Sequence, residues 1–413
     1  MIHSGREPHD WIPGTTPQLT RFFVGNVCLA AGLFVHAFLF NFYLREMGLS
    51  ASVMGQQVAA ITVGGLLALL PTGVLIDRVG TRPVLLGGVA IAAAGLALTA
   101  VARTAVGIYP AALLIGIGGA ACRVAWGPSL MSLTTEAGRA RAFTWNVALL
   151  VGTGGVWTLL AGLLPAWSSR VATTAGFSGT QLTLLAGAAM SAAAALCYWP
   201  LRMPRPARGA RAAAAIAPPR DLRVLLPLVA FWMLAAALVL PFLNVFFLDR
   251  FNMSVSRIGA VFAGAQITHA VMLIGAGELS RRWGPRRALM AWMSALAPLL
   301  WCLALTNILG LAVVLYVLQG LIAPATNPLI DQLLLERAPN DRYGLVASWR
   351  NAATEGAGAL GAGAGGRLLD ASSFSTLLLV AGAMAAASSA LLSAALRPRP
   401  VSTSTISPDV EAA

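Results

Sequence analysis

The sequence predicts an all-α integral membrane protein, with twelve transmembrane helices in two pseudo-symmetric six-helix halves. Three observations support this fold class: an apolar composition, twelve apolar runs of spanning length, and an internal repeat. Of the 413 residues, 58% are hydrophobic and only 10% are charged. A soluble domain carries roughly a quarter charged residues, so this chain has too little polar surface for a water-soluble globule.

The twelve apolar runs come first, because their length defines the fold. A helix needs about 20 apolar residues to cross the roughly 30 Å hydrocarbon core. We expect helices rather than a barrel, since no run alternates apolar and polar residues as barrel strands do. The predicted spans are 21–44, 53–77, 83–102, 106–133, 142–165, 179–200, 223–248, 257–280, 287–306, 308–334, 343–366 and 374–396.

The distribution of arginine predicts how these spans are oriented. All 28 basic residues are arginine. With the N-terminus inside, twenty arginines fall in cytoplasmic segments, six in external loops and two within spans. Short cytoplasmic loops carry such an excess, so we expect a multi-pass protein of the cell membrane with both termini in the cytoplasm.

The same distribution argues against nucleic-acid binding. The net charge of +13 lies in short loops between apolar runs and does not form one basic face. The four cysteines lie inside apolar runs without a zinc-binding spacing, so no metal and no cofactor are predicted. No cluster of nucleophile, metal ligands or paired acids is found, and an enzyme is therefore not expected.

One polar stretch divides the chain. Residues 201–222 are rich in Arg, Pro and Ala and fall between spans six and seven. We interpret them as a cytoplasmic linker between an N-terminal half, 1–200, and a C-terminal half, 223–396. Residues 397–413 are predicted to be a disordered cytoplasmic tail.

The two halves repeat at an offset of 204 residues. "LSASVMG" (49–55) then matches "MSVSRIG" (253–259), and "GVLIDRVGTR" (73–82) matches "GELSRRWGPR" (277–286) without a gap. A looser match pairs "GPSLMSLTTEAGRAR" (127–141) with "NPLIDQLLLERAPNDR" (327–342). Several matches in order indicate duplicated halves.

The stretch 73–83, "GVLIDRVGTRP", has a physical interpretation of its own. Gly80 permits a tight turn between helices, and Gly73 permits close helix contact. Arg78 and Arg82 hold the loop in the cytoplasm. Asp77 lies at a helix end, where a carboxylate can meet an arginine or the N-terminus of a neighbouring helix.

This stretch resembles the signature between the second and third helices of the major facilitator superfamily. The sequence departs from it at Thr81, where a basic residue is common. The resemblance implies that Asp77 bridges the halves near the start of span eleven and favours the outward-open state. The alternative is a charge-anchored loop without a switching role. The predicted switch loops contain Gly73, Asp77, Arg78, Gly80, Arg82, Gly277, Arg281, Arg282, Gly284 and Arg286.

Three side chains at membrane depth are candidates for proton coupling: Glu355, His36 and His269. An ionisable group in lipid is costly, so a functional role is the first hypothesis. Glu355 lies roughly 20 Å along span eleven from Arg342. Its alternatives are a substrate contact or a structural pair, and each histidine can equally be a hydrogen-bonded packing residue.

Further polar side chains suggest a gate and a cavity. Arg123 in span four and Asp331 in span ten are candidates for a gating pair across the halves; each can instead cap its own helix or reach the interface. Arg350 is a candidate partner for Glu355 or for an anionic substrate. The substrate-cavity candidates are Asn41, Gln266, Gln319, Asn327, Trp349 and Arg350, although amides also make ordinary interhelical hydrogen bonds.

These features predict a secondary transporter that moves a small molecule by alternating access, coupled to protons. "GAGALGAGAGG" (356–366) lacks the Lys-Ser/Thr of a phosphate loop, and no other nucleotide-binding motif is found, so the energy must come from a gradient. Export of an amphipathic compound is our first interpretation, and proton-coupled or facilitative uptake of a small polar metabolite is the alternative. Neither the antiporter nor the sugar-transporter signature of the family is found.

A non-transporting receptor or scaffold is a remote alternative. The expected partners are the bilayer, the substrate and protons, and the family expectation is a monomer.

Overall fold

The structure is a computed structural model that describes residues 16–174, 176–203, 222–337 and 343–396. In these ranges the regular structure is helical. Most of the predicted linker and the whole predicted tail, 397–413, lie outside the described residues. The α-helices are α1 (Pro17–Glu46), α2 (Ala51–Val79), α3 (Thr81–Val101), α4 (Ala105–Leu133), α5 (Glu136–Thr174), α6 (Gly179–Tyr198), α7 (Leu222–Ala237), α8 (Leu243–Phe251), α9 (Val255–Trp283), α10 (Pro285–Leu305), α11 (Leu309–Leu335), α12 (Tyr343–Ala371) and α13 (Phe374–Ala395).

These helices make twelve spans. Among the described residues, ten segments are long and apolar enough to cross a membrane, and Leu222–Phe251 counts as one of them. Helices α9 and α12 carry more polar residues, but each has 29 residues and matches its neighbours in length. The predicted all-α fold with twelve spans is confirmed.

Span seven differs from the continuous helix predicted over 223–248. Helix α7 ends at Ala237, a 3-10 turn covers Leu240–Phe242, and α8 follows. Pro241 explains the break, because it has no N–H for the helical hydrogen bond and its ring clashes with the carbonyl four residues earlier. The apolar composition of the run hides this interruption.

Each half contains one nearly immediate turn between helices. Gly80 alone joins α2 to α3 with φ 90°, and Gly284 alone joins α9 to α10 with φ 78°. Positive φ is readily available only to glycine. The predicted role of Gly80 is therefore confirmed, and the second copy of the motif has the same backbone turn.

Close packing within the N-terminal half depends on small residues. A Cβ on Gly116 of α4 would overlap the carbonyl oxygen of Ile61 in α2, and a Cβ on Gly118 would overlap the α3 backbone at Ala92. Small residues let helix backbones approach closely in lipid. The α2, α3 and α4 backbones are held together in this way.

The bundle has two faces. We call the "linker face" the one at which α6 ends and α7 begins, and the "far face" the one at which α1 ends and α2 begins. Helices α1 and α8 end at the far face, and α2 and α9 begin there. The two glycine turns at residues 80 and 284 lie at the linker face.

Candidate substrate site and gate

The far-face ends of spans one and seven are joined across the two halves. Arg45 Nη2 lies 2.8 Å from Asp249 Oδ1. About one helical turn deeper, Asn41 Nδ2 donates to the carbonyl oxygen of Pro241 at 2.5 Å and to Asn244 Oδ1 at 3.2 Å. Asn244 Nδ2 in turn donates to the carbonyl oxygen of Phe38 at 2.8 Å.

Of the two alternatives for Asn41, a cavity position or interhelical hydrogen bonds, the structure shows hydrogen bonds between the halves. The helix break supplies part of the reason, since a proline-interrupted helix leaves carbonyl groups without an intrahelical partner. The side chain of Asn41 satisfies the carbonyl of Pro241 from the opposite half.

Helices α2 and α12 make the second far-face contact. The carboxylate of Asp370 accepts hydrogen bonds from the backbone N–H groups of Ala51 at 2.8 Å and Ser52 at 3.0 Å, and from the Ser52 hydroxyl. An acid at a helix N-terminus satisfies free N–H groups and complements the helix dipole. A residue of the C-terminal half thus caps a helix of the N-terminal half.

Glycines bring α2 and α12 together at this contact. A Cβ on Gly55 would overlap the carbonyl oxygen of Ala362, and a Cβ on Gly366 would overlap that of Ala51. The interpretation of 356–366 as a close-packing stretch is supported here. Gly356, Gly358 and Gly363, by contrast, have open space at the Cβ position.

Helices α5 and α9 make the equivalent contact on the other side of the bundle. A Cβ on Gly259 would lie 2.9 Å from the Cα of Gly162. The Ser256 hydroxyl donates to the carbonyl oxygen of Gly162 at 2.9 Å. Gly55 and Gly259, like Gly162 and Gly366, are 204 residues apart, so the repeat positions both crossings.

By helical register, Glu355 shares a face of α12 with Ala362, whose carbonyl oxygen meets Gly55 of α2. It precedes Ala362 by seven residues, two helical turns that bring it back to nearly the same face, about 10 Å nearer the linker face. The Glu355 side chain is exposed. Arg123 on α4 is also exposed, with its guanidinium beside Gly65 and Gly119.

The candidate gating pair is not formed in this structure. Asp331 Oδ1 lies 3.1 Å from Arg350 Nε, within the C-terminal half, and Arg350 Nη2 donates to Asn327 Oδ1 at 3.2 Å. Arg350 therefore contacts α11 rather than Glu355, its other candidate partner. Trp349 packs against the core of the C-terminal half.

The two histidines have different surroundings. His36 is buried, stacks on Phe40 with ring centroids 4.4 Å apart, and has Nε2 2.9 Å from Gln57 Nε2. Because Gln57 Nε2 only donates, His36 Nε2 is the acceptor. His269 Nε2 lies 2.8 Å from the carbonyl oxygen of Val317 and must be the donor.

A pocket of about 190 Å³ brings three predicted residues together at mid-depth. Gln266 and His269 come from α9, and Gln319 comes from α11. Phe262 and Tyr316 form one wall, stacked at 4.5 Å with an angle of 25° between their planes. The helix break in span seven contributes Leu240 and Leu243.

The predicted switch loops lie at the linker face. Asp77 and Arg78 are exposed in the last turn of α2, and no hydrogen bond or ion pair joins Asp77 to another described residue. Arg82 lies over the Trp199 ring at 5.5 Å.

In the second loop, Arg281 and Arg282 are exposed in the last turn of α9, and Arg286 lies in the first turn of α10.

The expected close helix contact at Gly73 is wrong for this structure. A Cβ there would meet no atom of the described residues within 4 Å, so no described helix packs closely at that position. Its repeat equivalent, Gly277, lies in α9 in a stretch whose side chains are not described.

The sequence analysis did not select Arg45, Asp249 or Asp370 as functional residues. The first two occupy equivalent positions of the repeat with opposite charges, a signal that the 204-residue offset contains. Asp370 had no such signal, since its partners are backbone groups about 320 positions away in the chain.

A family model described as Major Facilitator Superfamily matches residues 22–249 and 233–412. The chain belongs to the major facilitator superfamily. It is therefore a multi-pass membrane transporter rather than an enzyme. No curated protein matches the sequence.

Solved structures of this superfamily share the fold. The nucleoside transporter NupG is 14% identical with a TM-score of 0.74, covering 92% of this chain and 99% of its own. A bacterial homologue of the human lysosomal transporter Spinster, inward-facing and occupied, is 14% identical with a TM-score of 0.76, covering 92% and 97%. A bacterial homologue of the iron transporter ferroportin, inward-facing, is 15% identical with a TM-score of 0.73, covering 92% and 99%.

Proposed function

We propose that this transporter moves a small molecule by alternating access and couples that movement to protons. The observation that carries the proposal is the pattern of contacts between the halves. Hydrogen bonds, an ion pair and glycine crossings join them at the far face, whereas Glu355 and Arg123, which lie nearer the linker-face ends of their helices, are exposed. A site between such halves is reached from one side at a time.

The arginine asymmetry supports a cytoplasmic linker face. In that orientation the far face is external and closed, and the structure is inward-facing. Opening to the outside requires breaking the Arg45–Asp249 pair and separating Asp370 from α2. The Spinster and ferroportin homologues, also described as inward-facing, have the same fold.

Glu355 is the coupling group that the geometry favours. It is an exposed carboxylate near the middle of α12, and helical register puts it on the face shared with Ala362, which meets α2. A carboxylate in this place gains and loses its proton as the surrounding water changes between the two sides of the membrane. His269 and His36 are engaged in hydrogen bonds within their own halves.

The pocket at Gln266 and Gln319 favours a small polar solute over an amphipathic one. Its amides are grouped at mid-depth, and its volume is below the roughly 300–1,000 Å³ of pockets for drug-sized ligands. The second interpretation from the sequence, movement of a small polar metabolite, therefore fits the site better than export of an amphipathic compound.

The test uses purified protein in liposomes with a pH-sensitive dye inside. Neutral heterocycles, sugars, amino acids, organic anions and amphipathic compounds are added outside in turn, under an imposed proton gradient. We expect solute-dependent proton flux that is lost in Glu355→Gln. Glu336→Gln, an exposed carboxylate at the end of α11 bonded to Gln332, is the matched control and should retain the flux.

Solute movement without proton flux, and unchanged in Glu355→Gln, would contradict proton coupling and leave a facilitative carrier. Movement of no solute in the panel, by protein shown to be folded, would count against transport of these classes of small molecule.

A further inference from the structure

We propose that the pocket between α9 and α11 is the substrate subsite, and that it takes a flat, uncharged ring carrying hydrogen-bond donors and acceptors, as in a heterocyclic amide. This inference rests on the proposed transport function and names its substrate class. Gln319, Gln266 and His269 supply the polar groups of the lining, and Phe262 and Tyr316 supply its aromatic rings.

Gln319 carries the polar part of the inference. Its side chain is 5% exposed, and its Nε2 has no hydrogen-bond partner among the described residues. A buried donor without a partner is costly, and native structures retain few of them. An acceptor on a ligand in this pocket would satisfy the Gln319 amide.

His269 and Gln266 complete a mixed set of donors and acceptors. His269 Nε2 donates to Val317 O at 2.8 Å, so Nδ1 of the neutral ring remains an acceptor. The Gln266 amide offers both an N–H donor and a carbonyl acceptor. A ligand matched to these groups carries both types of group along its edge.

The aromatic wall favours a flat ligand. The Phe262 and Tyr316 rings stack at 4.5 Å, and Phe247 packs edge-on against Tyr316 at 5.5 Å and 85°. Phe247 thus supports both rings of the pair from the side. A planar ring packs against such a surface with little loss of contact area.

The absence of charge in the lining favours an uncharged ligand. None of the described residues that line the pocket is aspartate, glutamate or arginine. The Asp331–Arg350 pair is twelve residues from Gln319 along α11, roughly 18 Å. A charged ligand would lose its hydration here without gaining a counter-charge. The volume of about 190 Å³ limits the bound group to one or two rings.

The experiment measures binding of uracil, a flat uncharged ring amide, to the purified full chain by isothermal titration calorimetry. Orotate, which is uracil with an added carboxylate, is the charged comparison. We expect saturable uracil binding, and binding of orotate at least about tenfold weaker. Gln319→Met, of similar shape without the amide, should weaken uracil binding about tenfold. Phe262→Leu should weaken it to a similar extent.

The control variant is Thr268→Val, next to His269 in α9. The Thr268 hydroxyl donates to Gly264 O of its own helix at 2.9 Å, and Thr268 is not part of the pocket lining. It should bind uracil like the unmodified chain. Gln319→Met removes an unpaired buried amide, so we expect it to fold, and a thermal melt checks this.

Three results would overturn the substrate class: no binding of uracil, thymine or adenine by folded protein, unchanged affinity in Gln319→Met, or equal affinity for orotate. If, in addition, another class of solute drives proton flux in liposomes, the transport proposal stands without this subsite. If uracil binds as expected but drives no flux, the subsite stands and proton coupling fails.

Discussion

Arg45 and Asp249 form an ion pair between equivalent positions of the two halves. Their atoms Nη2 and Oδ1 are 2.8 Å apart, and the residues are separated by 204 positions, the offset of the repeat. Opposite charges at equivalent sites let pseudo-symmetric helices attract each other at the far face. The pair lies beside the backbone turns at Gly48 and Asn252, both with positive φ and also 204 positions apart.

We expect Asp249→Asn to open the far face. Arg45 is half exposed, and exposed pairs contribute about 0.2–1 kcal/mol, so the population open at this face should rise roughly 1.5- to 5-fold. Double electron–electron resonance measures the distance between spin labels at Gly107→Cys and Gly310→Cys, which lie at the far face, one in each half. The double variant Arg45→Asp/Asp249→Arg should restore the short distance. If the double variant stays open, the pair is not what holds the face closed.

Loss of the Asp370 cap should have a similar effect through a different contact. Asp370→Ala leaves the N–H groups of Ala51 and Ser52 without their acceptor, at a cost of about 0.5–2 kcal/mol. The same pair of labels should show a larger open fraction. Asp370→Asn keeps one acceptor oxygen, so its open fraction should lie between that of the unmodified protein and that of Asp370→Ala. Equal distributions in all three proteins would remove Asp370 from the gate.

The crossing of α5 and α9 predicts a steric effect. Gly259→Ala places a Cβ 2.9 Å from the Cα of Gly162, and the backbones must separate. Overpacking costs about 1–3 kcal/mol, so the open population should rise about 5- to 150-fold. Gly264→Ala, in the same helix with open space at its Cβ, is the control. If the far face stays closed in Gly259→Ala, the crossing of α5 and α9 accommodates the added methyl group without separation of the halves.

Asp77 is expected to act in the opposite state. It has no ion pair with a described residue while the far face is closed, as expected if its bridge forms when the linker face closes. Asp77→Asn should keep the fold and slow transport about 2- to 5-fold, the effect of losing an exposed charge contact. Initial uptake rates in liposomes and a thermal melt test this. An unchanged transport rate would mean that this loop is a charge-anchored loop without a switching role.

Some residues could be predicted because their role depends only on nearby sequence. Gly80 and Gly284 are required wherever two spanning helices meet in a one-residue turn, and twelve apolar runs require twelve helices in lipid. Gln266 and Gln319 were predicted as cavity candidates and His269 as a candidate for proton coupling. That the three come together was not predicted, since helical register does not say which faces of α9 and α11 meet.

What the sequence by itself determined is the number of spans, the repeat and the turns, because lipid forces each apolar run to satisfy its own backbone as a helix. Only the tertiary structure decided that Asp370 caps α2, that Asn41 bonds to the broken span seven and that Asp331 pairs with Arg350. It also decided that Gly73 has open space at its Cβ position among the described residues. These are contacts between helices far apart in sequence. They depend on the rotation and crossing of each helix, which side-chain packing settles once the helices assemble.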